Sequence, residues 1–122
     1  MKTLFKAFLI FSFAIFFLSC ETNEIQIDEI PTEIKLKSGT DYKYDFHISG
    51  DEESATIIVQ AQHYAVSEII RNESTNWSVV YLYKSETGFV GLDSVEIETC
   101  TGWDGTNCGE TNQIKLIFII TE

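Results

Sequence analysis

From Glu33 onward, apolar and polar residues take turns along the chain with a period of two. Ile34 and Leu36 alternate with Glu33, Lys35 and Lys37 before Ser38-Gly39-Thr40 turns the chain. Tyr42, Tyr44, Phe46 and Ile48 then share one face of a second segment whose other face carries Asp41, Lys43, Asp45 and His47. Such a repeat sets successive side chains on opposite sides of an extended backbone, the mark of a half-buried strand. Residues 49–54 form a polar loop with Gly50 for its turn. A third strand is predicted over residues 55–64, where the unbroken Ile57-Ile58-Val59 reads as strand in the middle of a sheet. A fourth covers residues 66–71, with Ile69 and Ile70, and residues 72–76 read as loop.

In the fifth segment, residues 77–84, Trp77, Val79, Tyr81 and Tyr83 share one face while Ser78, Val80, Leu82 and Lys84 take the other. Residues 93–100 set Val95, Ile97 and Thr99 opposite Ser94, Glu96 and Glu98, and residues 113–121 close the chain with Ile114, Leu116, Phe118 and Ile120 facing one way. Seven short strands about a dozen residues apart, with no amphipathic helix, predict an all-β domain over residues 32–122. The expected architecture is a two-sheet sandwich with immunoglobulin-like connections.

The first 31 residues carry another pattern. Lys2 and Lys6 precede an apolar run, residues 7–18, broken only by Ser12, which matches a secretory signal. Twelve residues of helix rise about 18 Å, short of the roughly 30 Å that a spanning helix crosses. Leu18-Ser19-Cys20 resembles the lipobox of bacterial lipoproteins, although Phe17 stands where an aliphatic residue is usual. The resemblance implies removal of residues 1–19 and two or three acyl chains on Cys20, with the membrane as partner and the outer membrane as the expected site. Two chains hold a protein stably on a bilayer where one does so only marginally. Residues 20–31 are then a tether, in which Ile25 and Ile27 alternate with polar neighbours as a short edge strand would. Glu21, Glu24, Asp28 and Glu29 are similar to the acidic export signals of Bacteroidota surface lipoproteins, although those are more compact, and read more readily as a solvated linker.

A second resemblance lies at residues 81–95. The tyrosine-rich strand, then Gly88-Phe89-Val90-Gly91-Leu92-Asp93-Ser94, and a closing strand of alternating aliphatics resemble the late part of bacterial immunoglobulin-like and cadherin-like surface domains. Ser85 replaces their usual turn proline, and Val95 and Ile97 replace aromatic residues. Gly88 and Gly91 allow backbone that other residues resist, Phe89 is expected to plug the end of the core, and Asp93 to cap the turn.

Charge narrows the partners. The formal net charge is −11, and loss of Lys2 and Lys6 leaves six basic residues against 19 acidic ones, a net −13. The remaining cations are scattered, so nucleic acid is excluded as an expected partner. Three cysteines are an odd number for an exported protein. With Cys20 acylated, Cys100 and Cys108 remain as a pair in a compartment where disulfides persist. A metal is the rival reading, but only His47 and His63 accompany them and no C-x-x-C spacing exists. No cofactor is implied.

Residues 101–107 would form a stiffened loop between the paired cysteines. An exposed Trp103 there would stack on a sugar or anchor a protein contact, with Asp104 and Asn107 beside it; folded back, it would cover a sheet edge. No G-x-S-x-G elbow, H-E-x-x-H or phosphate loop is present, and Asp51-Glu52-Glu53 lacks calcium-loop spacing. Glu96 and Glu98 share a strand face and read as solvated carboxylates. Asp93-Ser94-Val95 resembles the O-glycosylation motif of Bacteroidota. The expectation is a non-enzymatic, membrane-anchored envelope lipoprotein with an interaction or structural domain; the alternative is a carbohydrate-binding or adhesin-like module using the Cys100–Cys108 loop.

Overall fold

The computed structural model describes residues 32–122; Cys20, the leader, the tether and the strand expected at Ile25 and Ile27 lie outside the described residues. Seven strands are present: β1 Thr32–Lys37, β2 Asp41–Asp45, β3 Ser54–Val59, β4 Tyr64–Ile70, β5 Val80–Ser85, β6 Gly91–Thr101 and β7 Glu110–Thr121, with a 3-10 turn at Glu73–Thr75. They form a four-stranded sheet ordered β1-β7-β6-β3 and a three-stranded sheet ordered β2-β5-β4. Only β1 runs parallel to its neighbour, Thr32 facing Leu116 and Lys37 facing Thr121. The chain changes sheet at every connection except β4 to β5 and β6 to β7, so the sandwich has the expected immunoglobulin-like connections.

The period-two pattern decides which side chains meet between the sheets. Tyr81 and Tyr83 from β5, Val95 and Ile97 from β6, and Leu116, Phe118 and Ile120 from β7 are fully or almost fully buried. The Tyr83 ring stacks on Phe118 with centroids 3.8 Å apart, and Tyr42 meets Phe118 edge-on at 5.5 Å. Aromatic pairs of this kind add to the value of burial alone.

Three expectations fail. β3 is an edge strand of its sheet, and after a bulge between Ile57 and Val59 the residues Ile58 and Val59 are exposed. Ile57 alone of that run turns inward, opposite Ile97; an apolar run does not distinguish two covered faces from a bulged edge. Trp77 leaves the core face, because β5 begins only at Val80 and Trp77 is held at φ +63°. Val80, assigned to the outer face, is buried.

The corner before β6 behaves largely as its residues require. Gly88 and Gly91 take φ +87° and +142°, and Phe89 packs on the core and stacks against His63. Ser85, in place of a turn proline, is buried and accepts a hydrogen bond from Gly39 N at 2.9 Å. Asp93 reaches farther than a turn cap. Its buried carboxylate accepts from Gln62 N at 2.9 Å, His63 N at 3.0 Å and the Tyr83 hydroxyl at 2.9 Å. It therefore ties the β3–β4 link, including the core residue Ala61, to β6.

Candidate functional site

Strand register gathers three loops at one end of the sandwich. Asp45, Ile70 and Val80 are level across β2, β4 and β5, while Ser54 faces Cys100 and Thr101 faces Glu110. The loops of residues 46–53, 71–79 and 102–109 therefore leave from that end.

Polar contacts brace the first two loops against each other. The Arg71 guanidinium donates to the carbonyls of Glu53 at 2.9 Å, Ser49 at 2.6 Å and Gly50 at 2.8 Å. Val79 N donates to Ile48 O at 2.9 Å, and the Ser78 hydroxyl donates to Asp45 Oδ1. That bond, with one from His47 N at 2.8 Å, holds the Asp45 carboxyl below the usual carboxylate range. Glu53 Oε2 accepts from Ser49 N and Gly50 N, closing the first loop on itself. In the second, Asn72 and Thr75 form a capping box around the 3-10 turn, a reciprocal arrangement that fixes where the turn begins.

Past the turn the backbone is strained. Asn76 and Trp77 both occupy left-handed backbone, at φ +51° and +63°, and His47 in the neighbouring loop sits at +58°; these are the non-glycine residues with positive φ among those described. Asparagine tolerates that region, but a bulky aromatic residue there is held at a cost. The conformation leaves the Trp77 side chain 59% exposed.

The third loop is closed by the expected disulfide, Cys100–Cys108, with Cα atoms 5.7 Å apart. Asp104 Oδ1 accepts from Asn107 N at 2.7 Å and Thr106 N at 2.8 Å, and these bonds hold its pKa below the ordinary value. At the base of the loop a side chain on Gly109 would strike the Gly102 carbonyl, so only glycine fits this approach. Trp103 is 45% exposed and walls an open depression of about 250 Å³ with Asp51, Glu52, Glu53, Ser54 and Cys100.

The predicted residues thus separate in role. Trp103 faces the depression, whereas Asp104 spends one oxygen inside its own loop, and Asn107 supplies that loop's backbone contacts while its side chain is exposed. Trp77 was missed as a site residue, and the loop signal at residues 72–76 was its only trace in the sequence. His47 lies at the loop end and His63 in the opposite half, beside Phe89. Among the described residues no group of three or more His, Cys, Asp or Glu is placed to hold a metal. Glu96 is paired with Lys115 at 2.8 Å and Glu98 accepts from Gln113. Ser94 lines a second open groove of about 310 Å³ on the outer sheet face with Val59, Leu92 and Ile117, next to the engaged Asp93.

No protein-family model matches the chain, and no curated protein matches it by sequence. Two solved structures share part of its shape. One is the cysteine protease inhibitor EhICP2 from Entamoeba histolytica, at 10% identity and TM-score 0.44, covering 74% of this chain and 85% of that one. The other is an endo-fucoidan hydrolase of glycoside hydrolase family 107, at 15% identity and TM-score 0.44, covering 73% of this chain but only 12% of the hydrolase. At that similarity neither bears on what this chain does.

Proposed function

We propose that the chain is a non-enzymatic interaction module on a bacterial envelope membrane. Cys20 anchors it after loss of residues 1–19, residues 20–31 space it from the bilayer, and the braced loop end receives the partner. The observation that carries the reading is that both tryptophans of the chain, Trp77 and Trp103, stand exposed at the same end. An exposed indole forgoes burial of a large apolar surface that a partner can recover, and tryptophan is over-represented among the residues that dominate interfaces. Loops already braced by Arg71, the capping box and the disulfide lose little further freedom on binding, which lowers its entropic cost.

β1 runs away from the loop end and begins level with Leu116, midway along β7. Eleven extended residues reach about 36 Å, enough to hold a domain off the headgroups. A neutral oligosaccharide is the second reading, favoured by the open depression against Trp103.

A photoreactive phenylalanine analogue placed at position 77 or 103 of the membrane-held protein tests the reading. A discrete cross-linked product from both positions, and none from positions 68 and 92 on the outer sheet faces, is expected. Products from positions 68 and 92 alone, or no product from any position, would refute it.

A further inference from the structure

The loop end also constrains the chemistry of its partner, an inference that rests on its being the interaction surface. The three loops hold five carboxylates, on Asp51, Glu52, Glu53, Glu73 and Asp104, against one guanidinium, that of Arg71. Arg71 commits three of its five N–H groups to loop carbonyls. Glu53 and Asp104 each commit an oxygen to their own loops. Asp51 and Glu52 are exposed and line the depression that Trp103 walls.

An aromatic face attracts a cation, arginine more often than lysine, and a carboxylate beside it takes guanidinium N–H groups in charge-assisted bonds. An uncharged apolar partner would strip water from these carboxylates and return nothing. An anionic bilayer would be repelled. We propose that the loop end binds an arginine-bearing segment of another protein, with the guanidinium received at the Trp103 depression, Asp51 and Glu52 as its counter-charges, and Trp77 as a second contact.

Calorimetric titration of the full-length protein with the peptide acetyl-Gly-Arg-Gly-Arg-Gly-amide provides the test. Saturable binding is expected, weakened about tenfold by Trp103→Ala and to a similar degree by Asp51→Asn with Glu52→Gln. Trp103→Phe should recover most of it, and Glu33→Gln with Glu68→Gln, which removes the same charge from exposed positions on the strands, should change it less than twofold. Equal weakening by the two charge-removing pairs, with Trp103→Ala silent, would mean diffuse attraction to an acidic protein and overturn the proposal. Quenching of the tryptophans by a neutral hexasaccharide, or by phosphatidylglycerol vesicles, in place of the peptide would overturn the partner class while leaving the loop end as the interaction surface. Silence from every probe, together with cross-links arising only from positions 68 and 92, would remove both.

Discussion

Replacing Asp93 by alanine should cost more stability than any other single polar change among the described residues. Its carboxylate accepts from three backbone N–H groups, those of Gln62, His63 and Ser94, and from the Tyr83 hydroxyl, and a hydrogen bond to a charged group contributes about 1.5–3 kcal/mol. Gln62 is exposed, so its N–H regains water in the variant, whereas Tyr83 is 1% exposed and its hydroxyl is left without an acceptor. These terms are not additive, and about 3–4 kcal/mol is the expected total. For a domain of about 90 residues that lowers Tm by roughly 12–30 °C. Asp93→Asn keeps one acceptor oxygen and should cost about 2 kcal/mol, and Tyr83→Phe about 1 kcal/mol. Urea denaturation of the oxidised protein at pH 7, followed by circular dichroism, measures all three, and the Asp93→Ala/Tyr83→Phe cycle should show about 1 kcal/mol of coupling. A loss below about 1 kcal/mol for Asp93→Ala, or additive single effects, would refute the claim that this carboxylate ties the β3–β4 link to β6.

Removing the disulfide with Cys100→Ser and Cys108→Ser should cost about 2–3 kcal/mol, and the intact membrane-extracted protein should have the mass of residues 20–122 plus acylglycerol and gain a pair of hydrogens on reduction; an unlipidated mass would end the anchor proposal. Burial pushes Tyr81 up to about 12, against a lowering contribution from its hydrogen bond with Ser67. Because the folded pKa lies above the unfolded one, its contribution is fully present below pH 10 and is lost between 10 and 12, at no more than about 1.4 kcal/mol per pH unit; a urea midpoint unchanged to pH 11 would contradict this. Trp77→Gly relieves the left-handed strain while adding glycine's entropy cost, so stability should stay level or rise by up to about 1 kcal/mol; a loss above about 1 kcal/mol would show that Trp77 supports the fold.

The sequence exposed the strands because one face of each is buried, and alternation at Tyr81, Tyr83, Val95, Ile97, Leu116 and Phe118 named the core directly. Sheet order was less legible. Ile57-Ile58-Val59 satisfies the pattern of a central strand, but the bulge and the edge position that expose two of the three depend on partners distant in sequence. The disulfide and the third loop were legible from cysteine count and spacing. Trp77 was not, because its spacing from Val79 and Tyr81 is that of a core strand, and only the left-handed backbone after the capping box turns it outward. Arg71 was equally hidden, since its partners are carbonyls, which carry no residue signature.

The most direct test of the loop end is fluorine resonance from the protein with 5-fluorotryptophan at its two tryptophan positions, recorded for the purified chain and again in its native membranes. We expect both signals to show the solvent-isotope shift of an exposed indole when purified, and both to lose it and move in the membranes where the partner is present. Two signals that lack that shift in the purified protein, or that stay unchanged in native membranes, would contradict the account.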